Sequence, residues 1–458
     1  SVAATRLAAD ALVRSEKSPA ALCRALVLGA LAVGAAAGAA QYVLAAPAAR
    51  FWLGDVRAVQ SLRILAPSLP FMAVGATLRG FFLARRKVRS ASLSQLGEQA
   101  VRIALALLLA PAALARGGAA AACAAIVFGD TVSEVVSCLW VALAWRREQR
   151  SFAGHALPPP RLWRAWGGIV APVTASRGLG SLLVTAENVL VPGCLTAFLD
   201  SRTQALAQFG QLKGMALPLL FFPFSFLATR SSLLLPEIAQ AHAAGSRARV
   251  RALSARTVLL TVLLAVPAGT LFTFFADPLG RLLYRSPEVG FYLRVLGPIM
   301  PFLYLEGMVD GILKGLGEQL ATFRYSLWNS LLRIVLVLAL APRFGMKGFL
   351  FVMLGSNLFT SILSLHRLLA VTGLHFDWYR WAAAPLLCAA CAFAAEHCVF
   401  APLAARLIGP ALPAAALPLL GAAVLLGVYL IFLWLLGLAS PRRLAQLCGR
   451  GGPAAAAQ

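Results

Sequence analysis

No stretch of this sequence is polar for long enough to fold as a soluble domain. Its longest polar segments, 146–164 and 230–256, are too short to bury a core of their own. Acidic residues are scarce, 17 in 458, and the five histidines (155, 242, 366, 375 and 397) are scattered. HExxH, GxSxG, a phosphate-binding Gly-Lys loop and Asp-rich metal motifs are all missing. With them go the usual carriers of hydrolytic, nucleotide and metal chemistry, so the sequence supports no enzyme, no cofactor and no metal. The eight cysteines mostly sit in or beside apolar runs. The single CxxC, Cys388 and Cys391, with His397 and Cys398 after it, has no second pair at a loop spacing. It reads as small residues packing a helix rather than as a redox or metal centre or part of a disulfide framework.

What remains is largely apolar. Hydrophobic residues make up 60% and charged residues 13% of the chain, and the mean hydropathy is +0.80. Soluble domains have about 45–50% apolar and about 25% charged residues. Runs of membrane-spanning length recur near 20–45, 62–84, 95–115, 119–145, 164–195, 205–229, 251–275, 291–313, 322–341, 345–370, 380–401 and 412–438. Each is too long for a barrel strand of about ten residues, and strict alternation is missing. The expected fold is therefore an all-α integral membrane protein of about twelve transmembrane helices. Gly75 and Gly80, then Pro172, Gly178 and Gly180, then Pro218, Pro223, Pro298 and Pro301 fall inside spans. They fit helices that bend around a path, and equally the ordinary abundance of these residues in membrane helices.

An even number of spans puts both termini on one side. Lysines and arginines on that side outnumber those on the other more than two to one, which predicts cytoplasmic termini in a cytoplasmic (cell) membrane. The same asymmetry accounts for most of the formal charge of +24 without a nucleic-acid partner. The stretch 237–256 is expected to form a basic amphipathic helix against anionic lipid, or a connector between bundles. The tail GGPAAAAQ is of low complexity.

Ionisable groups at bilayer depth are functional candidates, because each costs at least about 2.5–3.5 kcal/mol unpaired. Arg177 and Arg333 lie roughly 15 Å into their helices, with no acid one turn away. Each needs a partner from another helix or a hydrated path. Glu98 and Arg102 are one turn apart and form either a structural ion pair or part of a polar cavity. Asp130 and Glu134 share a face. They pair with arginines across the bundle, or one of them is protonated, or they couple transport to a cation. Glu187 is deep in its span, and Glu306, Asp310 and Lys314 descend one face at four-residue spacing.

The stretch LRILAPSLPFMAVGATLRGFFLARRKVRSASLSQLGEQAVRI (62–103) resembles the stage V sporulation protein B-like flippases of polysaccharide biosynthesis, within the multidrug/oligosaccharidyl-lipid/polysaccharide exporter superfamily. The positions that carry the likeness are Ala66, Pro67, Leu69, Pro70, Phe71, Arg79, Gly80, Phe81, Gln95, Glu98, Gln99 and Arg102. GDTVSEVVSCLW with Glu134 and Ser137, PVTASRGLGSLLVTAENVLVP (172–192), LLPEIAQA (234–241), GILKGLGEQ (311–319) and FGMKGFLFVMLGSN (344–357) follow in order.

The resemblance implies a MATE-like fold of two six-helix bundles with two added C-terminal helices. SVAATRLAADA resembles the loop after the family's second helix, so the first two helices of the fourteen-helix plan are expected to be missing here. That gives a four-helix partial N-lobe at 1–145, a six-helix C-lobe at 146–371, two additional helices at 372–440 and a cytoplasmic tail at 441–458. The resemblance also implies alternating-access flipping of a lipid-linked oligosaccharide or peptidoglycan precursor. An anionic lipid-linked glycan and membrane lipids are the expected partners, with a coupling ion (H+ or Na+) and envelope-synthesis enzymes as further ones.

Arg177, Arg333 and Arg102, with Glu98 and Arg79, are the substrate-cavity candidates, in a wet chamber between lobes. Asp130, Glu134, Glu187, Glu306 and Asp310 are the coupling candidates. Two alternatives stand beside this reading: a cation-coupled multidrug exporter of the same fold, and a non-transporting membrane scaffold for envelope or spore-cortex synthesis.

Overall fold

In hydrocarbon every backbone N–H and C=O must find its partner within the protein, so apolar runs of twenty or more residues become helices. The structure, a computed structural model, describes residues 19–85, 88–149, 162–407 and 416–438. Among them there are helices and no strand. Eight of these helices are long and apolar enough to cross a bilayer, or nine if the pair Ala58–Leu65 and Ser68–Leu83, bent by 40°, is one broken span. Two of the eight are far longer than one crossing needs. At about 1.5 Å per residue, the 60 residues of Arg89–Glu148 and the 54 of Gln319–Thr372 would measure about 90 and 80 Å, against a hydrocarbon core of about 30 Å.

Each of these long helices folds in half at glycine. Helix α4 (Val88–Gln149) breaks at Gly117 and Gly118, the latter at φ 67°, ψ −161°. It follows α1 (Pro19–Pro47), α2 (Ala58–Leu65) and α3 (Ser68–Ala84). Helix α13 (Gln319–Thr372) breaks at Gly345, at φ 58°, ψ −141°. Both backbone conformations belong almost only to glycine. The breaks fall where the apolar pattern separates 95–115 from 119–145 and 322–341 from 345–370.

The chain divides into two compact units, 1–179 and 180–458. In the first, Cys23, Leu78, Phe81, Phe82, Val141 and Trp145 form the buried core, and the Phe81 ring meets Trp145 edge-on at 4.6 Å between centroids. Helix α5 (Leu162–Leu199) leads into the second. There follow α6 (Arg202–Gln211), a π turn at Leu212–Ala216 and α7 (Leu217–Phe221). The chain then bends at Phe222–Pro223 into α8 (Phe224–Ala243). At that bend the helical ladder is broken, and the buried Tyr304 hydroxyl donates to the Leu220 carbonyl at 2.6 Å.

Helices α9 (Arg247–Phe274), α10 (Ala276–Tyr284), α11 (Pro287–Leu296) and α12 (Met300–Gly315) precede α13. After it come α14 (Ala384–Ala394), flanked by π turns at Tyr379–Ala383 and Ala395–Phe400, then α15 (Ala401–Leu407) and α16 (Ala416–Leu435). Large apolar side chains cover much of the surface; Leu107 and Leu108 are each 71% exposed. Such a surface suits lipid and is costly in water.

The stretch 237–256 does not form the single amphipathic helix expected of it. It is divided by a turn at Ala244–Ser246, with Gly245 at φ 68°. Its basic half, from Arg247, is the first turns of the spanning helix α9. The turn residues end one helix and begin another, which hydropathy averaged over the stretch does not register.

The two glycine breaks differ in surroundings. A Cβ on Gly345 would lie 2.6 Å from the Phe198 ring, whereas nothing stands within 4 Å of one on Gly118. Gly118→Ala is expected to cost roughly 1–2 kcal/mol from backbone strain alone. Gly345→Ala should cost more, because the half-exposed Phe198 ring must also move. Melting temperatures of the two purified variants in one detergent check the order, with the Gly345 variant expected to melt lower.

Candidate functional site

Residues equally distant from the bend of a helical hairpin stand level with each other on its two arms. In α4, Glu98 is nineteen residues before Gly117 and Ser137 is nineteen after Gly118; Arg102 and Ser133 are each fifteen away. The fold therefore brings Glu98 and Arg102 to the depth of Asp130, Glu134 and Ser137. Arg102 Nε lies 2.6 Å from Asp130 Oδ1, and its Nη2 lies 3.2 Å from Glu98 Oε1 and 3.8 Å from Glu134 Oε1. Arg79, from α3, completes the group. Its Nη1 donates to Glu98 Oε2 at 3.3 Å and to Ser137 Oγ at 2.9 Å. Glu98 and Glu134 are buried. Two guanidinium groups thus serve three carboxylates, a formal charge of −1 for the cluster.

The second unit repeats the device. Arg333 is twelve residues before Gly345 and Asn357 twelve after it. Arg333 Nε donates to Ser356 Oγ at 3.1 Å, Nη2 to Asn357 Oδ1 at 2.9 Å, and Nη1 to Glu187 Oε2 at 3.3 Å. Glu187 is buried on α5. Lys213 Nζ, from the π turn before α7, lies 3.7 Å from the other oxygen of the same carboxylate. One acid therefore faces two cations. The Arg333 side chain keeps 16% of its surface accessible and that of Lys213 keeps 34%, so both remain reachable by a ligand or water.

The remaining candidates are less connected. Lys314 Nζ is 2.5 Å from Asp310 Oδ2, one turn away on α12. Glu306, half-buried on the same helix, makes no hydrogen bond or ion pair with any described residue and shares the electrostatic field of Arg333 and Asp310. Arg177 is part of helix α5, but its side chain lies outside the described residues. Cys388 is buried and Cys391 exposed, and among the described residues no group of three or more His, Cys, Asp or Glu is arranged to hold a metal.

Asp130 and Glu134 adopt the cross-hairpin pairing that was one of their open alternatives, and Arg333 finds its partner on another helix. Sequence reasoning missed Lys213, Ser356 and Asn357 as members of the second cluster. Equal spacing on either side of Gly345 is the signal that finds Ser356 and Asn357. For Lys213 no local pattern does so.

Removing the hub of the first cluster tests what it contributes. Arg102→Ala strands the buried Glu98 and Glu134 with Arg79 alone, and is expected to cost about 3 kcal/mol. Arg102→Lys should recover only part, since an ammonium cannot reach three carboxylates in the geometry of a planar fork. Unfolding in detergent with the two variants side by side reads both; an unchanged midpoint for Arg102→Ala would mean the cluster adds no stability.

Against known proteins, the MatE family profile matches residues 212–338. Stage V sporulation protein B of Bacillus subtilis (strain 168) is 25% identical over 303 residues, 65% of this chain and 58% of that protein. Sporulation protein YkvU of the same organism is 24% identical over 234 residues, 50% and 52% of the two chains. The matched stretches thus span little more than half the length of these curated relatives. Among solved structures, an inward-facing MATE family multidrug resistance transporter of the MOP superfamily superposes with a TM-score of 0.65 at 12% identity, over 82% of this chain and 87% of that one. The lipid II flippase MurJ, in an inward closed conformation, superposes with a TM-score of 0.65 at 14% identity, over 94% and 88%. At such identities the structures speak for the fold, and the ordered sequence motifs and curated relatives speak for descent. The chain is a multi-pass membrane protein with the fold of the MATE and MurJ transporters, and its sequence is similar to stage V sporulation protein B and, over residues 212–338, to the MatE family.

Proposed function

We propose that this protein is a flippase that carries a lipid-linked, anionic glycan precursor across the cytoplasmic membrane by alternating access, with both termini of this chain cytoplasmic. The observation that carries the reading is the pair of accessible cations on one buried acid: Arg333 and Lys213 against Glu187. A phosphate or pyrophosphate headgroup cannot cross hydrocarbon bare. An arginine held at mid-span by Ser356 and Asn357, with its charge shared by a single carboxylate, offers it a bidentate partner. The headgroup displaces Glu187 from Arg333, and Lys213 keeps the carboxylate compensated. Arg177 is proposed to assist from its place on α5, and Arg102, with Arg79 and Glu98, from the first cluster.

Likeness in fold to MurJ, described as a lipid II flippase, is in keeping with a peptidoglycan-type or other lipid-linked oligosaccharide substrate. The relatives named for sporulation support a role in cell-wall or cortex synthesis. Outward movement of an anion from a negative interior is downhill by about 2.3 kcal/mol per charge at 100 mV. The −1 cluster around Asp130 and Glu134 is where a coupling proton or Na+ would act, with Glu187, Glu306 and Asp310 in reserve.

That acid-rich cluster, together with the MATE transporter fold, favours one second reading, a cation-coupled exporter of amphipathic drugs. The two separate in reconstituted vesicles. Lipid-linked sugar flipping by the full chain is expected to fall at least tenfold on replacing Arg333 and Arg177 together by Ala. Drug efflux that follows an imposed ion gradient, with sugar flipping unaffected by the double substitution, would instead establish the exporter.

A further inference from the structure

A buried carboxylate with no hydrogen-bond or ion-pair partner among the described residues is a third charged feature, distant in sequence from both clusters. Glu396 is 8% exposed and makes no hydrogen bond or ion pair with any described residue. It belongs to the π turn Ala395–Phe400, a widened turn of the kind that recurs at functional sites. It lines a cavity of about 290 Å³ whose other walls include Phe274, Phe275, Phe393, His397 and Phe400. The rings are ordered among themselves. Phe393 stacks on Phe274 at 3.6 Å and on His397 at 5.4 Å between centroids.

Gly421 of α16 keeps the carboxylate unobstructed. A Cβ there would stand 2.7 Å from Glu396 Oε1 and 3.0 Å from the Phe275 ring. The level of the cavity follows from the helix ends that meet at it. Phe274 closes α9, Gly421 is five residues from the start of α16, and Glu396 is seventeen residues beyond Tyr379. Those separations correspond to about 8 Å and about 25 Å of helix, which places the carboxylate just inside one membrane–water boundary, at the edge of the headgroup zone. Phe274 is itself half exposed at this rim.

Among the described residues the adjacent His397 is the one charge that acts on this carboxylate, and a carboxylate so weakly compensated at that depth is costly. Aromatic rings about a carboxylate form the chemistry that recognises an ammonium group, through charge on one side and ring faces and edges on the other. We propose that this cavity binds the ammonium group of a zwitterionic, ethanolamine-type membrane lipid, with Glu396 as its counter-charge and Gly421 as the space that admits it. The site lies apart from the Arg333 cluster in sequence and chemistry, and does not depend on what the protein transports.

The test uses the full chain in nanodiscs of equal phosphatidylethanolamine and phosphatidylglycerol, followed by native mass spectrometry of the lipid that stays bound. The wild-type protein is expected to retain phosphatidylethanolamine over phosphatidylglycerol. Glu396→Gln preserves the shape and removes the charge, and should reduce that preference about tenfold, the value of one charge-assisted contact. Gly421→Ala should reduce it similarly by occupying the space; should that variant fail to fold, Glu396→Gln decides alone. Equal retention of the two lipids by the wild type, or a preference undiminished in Glu396→Gln, overturns the proposal and assigns Glu396 as a protonated packing residue. Titration with free ethanolamine in lipid-free detergent distinguishes the source. Charge-dependent binding of the soluble amine without lipid retention would likewise overturn the headgroup assignment.

Discussion

A guanidinium at the middle of a bilayer has to be solvated by the protein itself, because hydrocarbon supplies neither hydrogen-bond acceptors nor counter-ions. Most of what is specific in this structure answers that requirement. Arg333 receives a carboxylate from α5, a hydroxyl and an amide oxygen from the far arm of its own hairpin, and shares its acid with Lys213. Arg102 and Arg79 are met by three carboxylates and a serine. In each case part of the set, Asp130, Glu134 and Ser137 in one and Ser356 and Asn357 in the other, arrives because a long apolar helix doubles back at a glycine whose backbone other residues rarely adopt. Level placement on the two arms then does the matching.

This way of satisfying buried charge also makes it available. A salt bridge sealed in a dry core is rigid, and its partners are spoken for. Here the Arg333 and Lys213 side chains retain accessible surface, and Arg102, at 33% side-chain exposure, does so as well. A charge network that is both complete and reachable can exchange an internal partner for an external one at modest cost. That property links the packing of the two units to the proposed transport of an anion. It is also why the two clusters, one acid-rich and one built on a cation pair, suit different partners.

Much of the architecture was legible in the sequence. The hydropathy pattern separated the two arms of α4 near 116–118 and those of α13 near 342–344, where Gly117, Gly118 and Gly345 indeed break the helices. The depth of Asp130, Glu134, Glu187 and Arg333 followed from counting residues along each span. The i,i+4 pairs Glu98–Arg102 and Asp310–Lys314 were visible from spacing, and both are made. What was not legible is instructive. The tract 237–256 looked amphipathic because its basic and apolar residues were averaged across a turn. Lys213 was not singled out within the run 205–229, and a π turn carries it to Glu187. Glu396 drew no notice in the sequence, since a single acid near the end of an apolar run is commonplace there. Its interest lies in the lack of a hydrogen-bond or ion-pair partner among the described residues and in the rings that surround it.

By itself the sequence determined that this chain is a bundle of membrane helices, roughly where one apolar run gives way to the next and which side chains are carried into those runs. Those properties are local: they depend on runs of apolar residues. Only the tertiary structure decided which charge meets which, that Glu187 is shared between Arg333 and Lys213, and that Glu396 is left facing a ring-lined cavity. Ion pairing falls off within a few ångströms, and the partners can stand 146 residues apart in the chain, as Glu187 and Arg333 do. No pattern within one helix specifies such a meeting; the packing of several helices does.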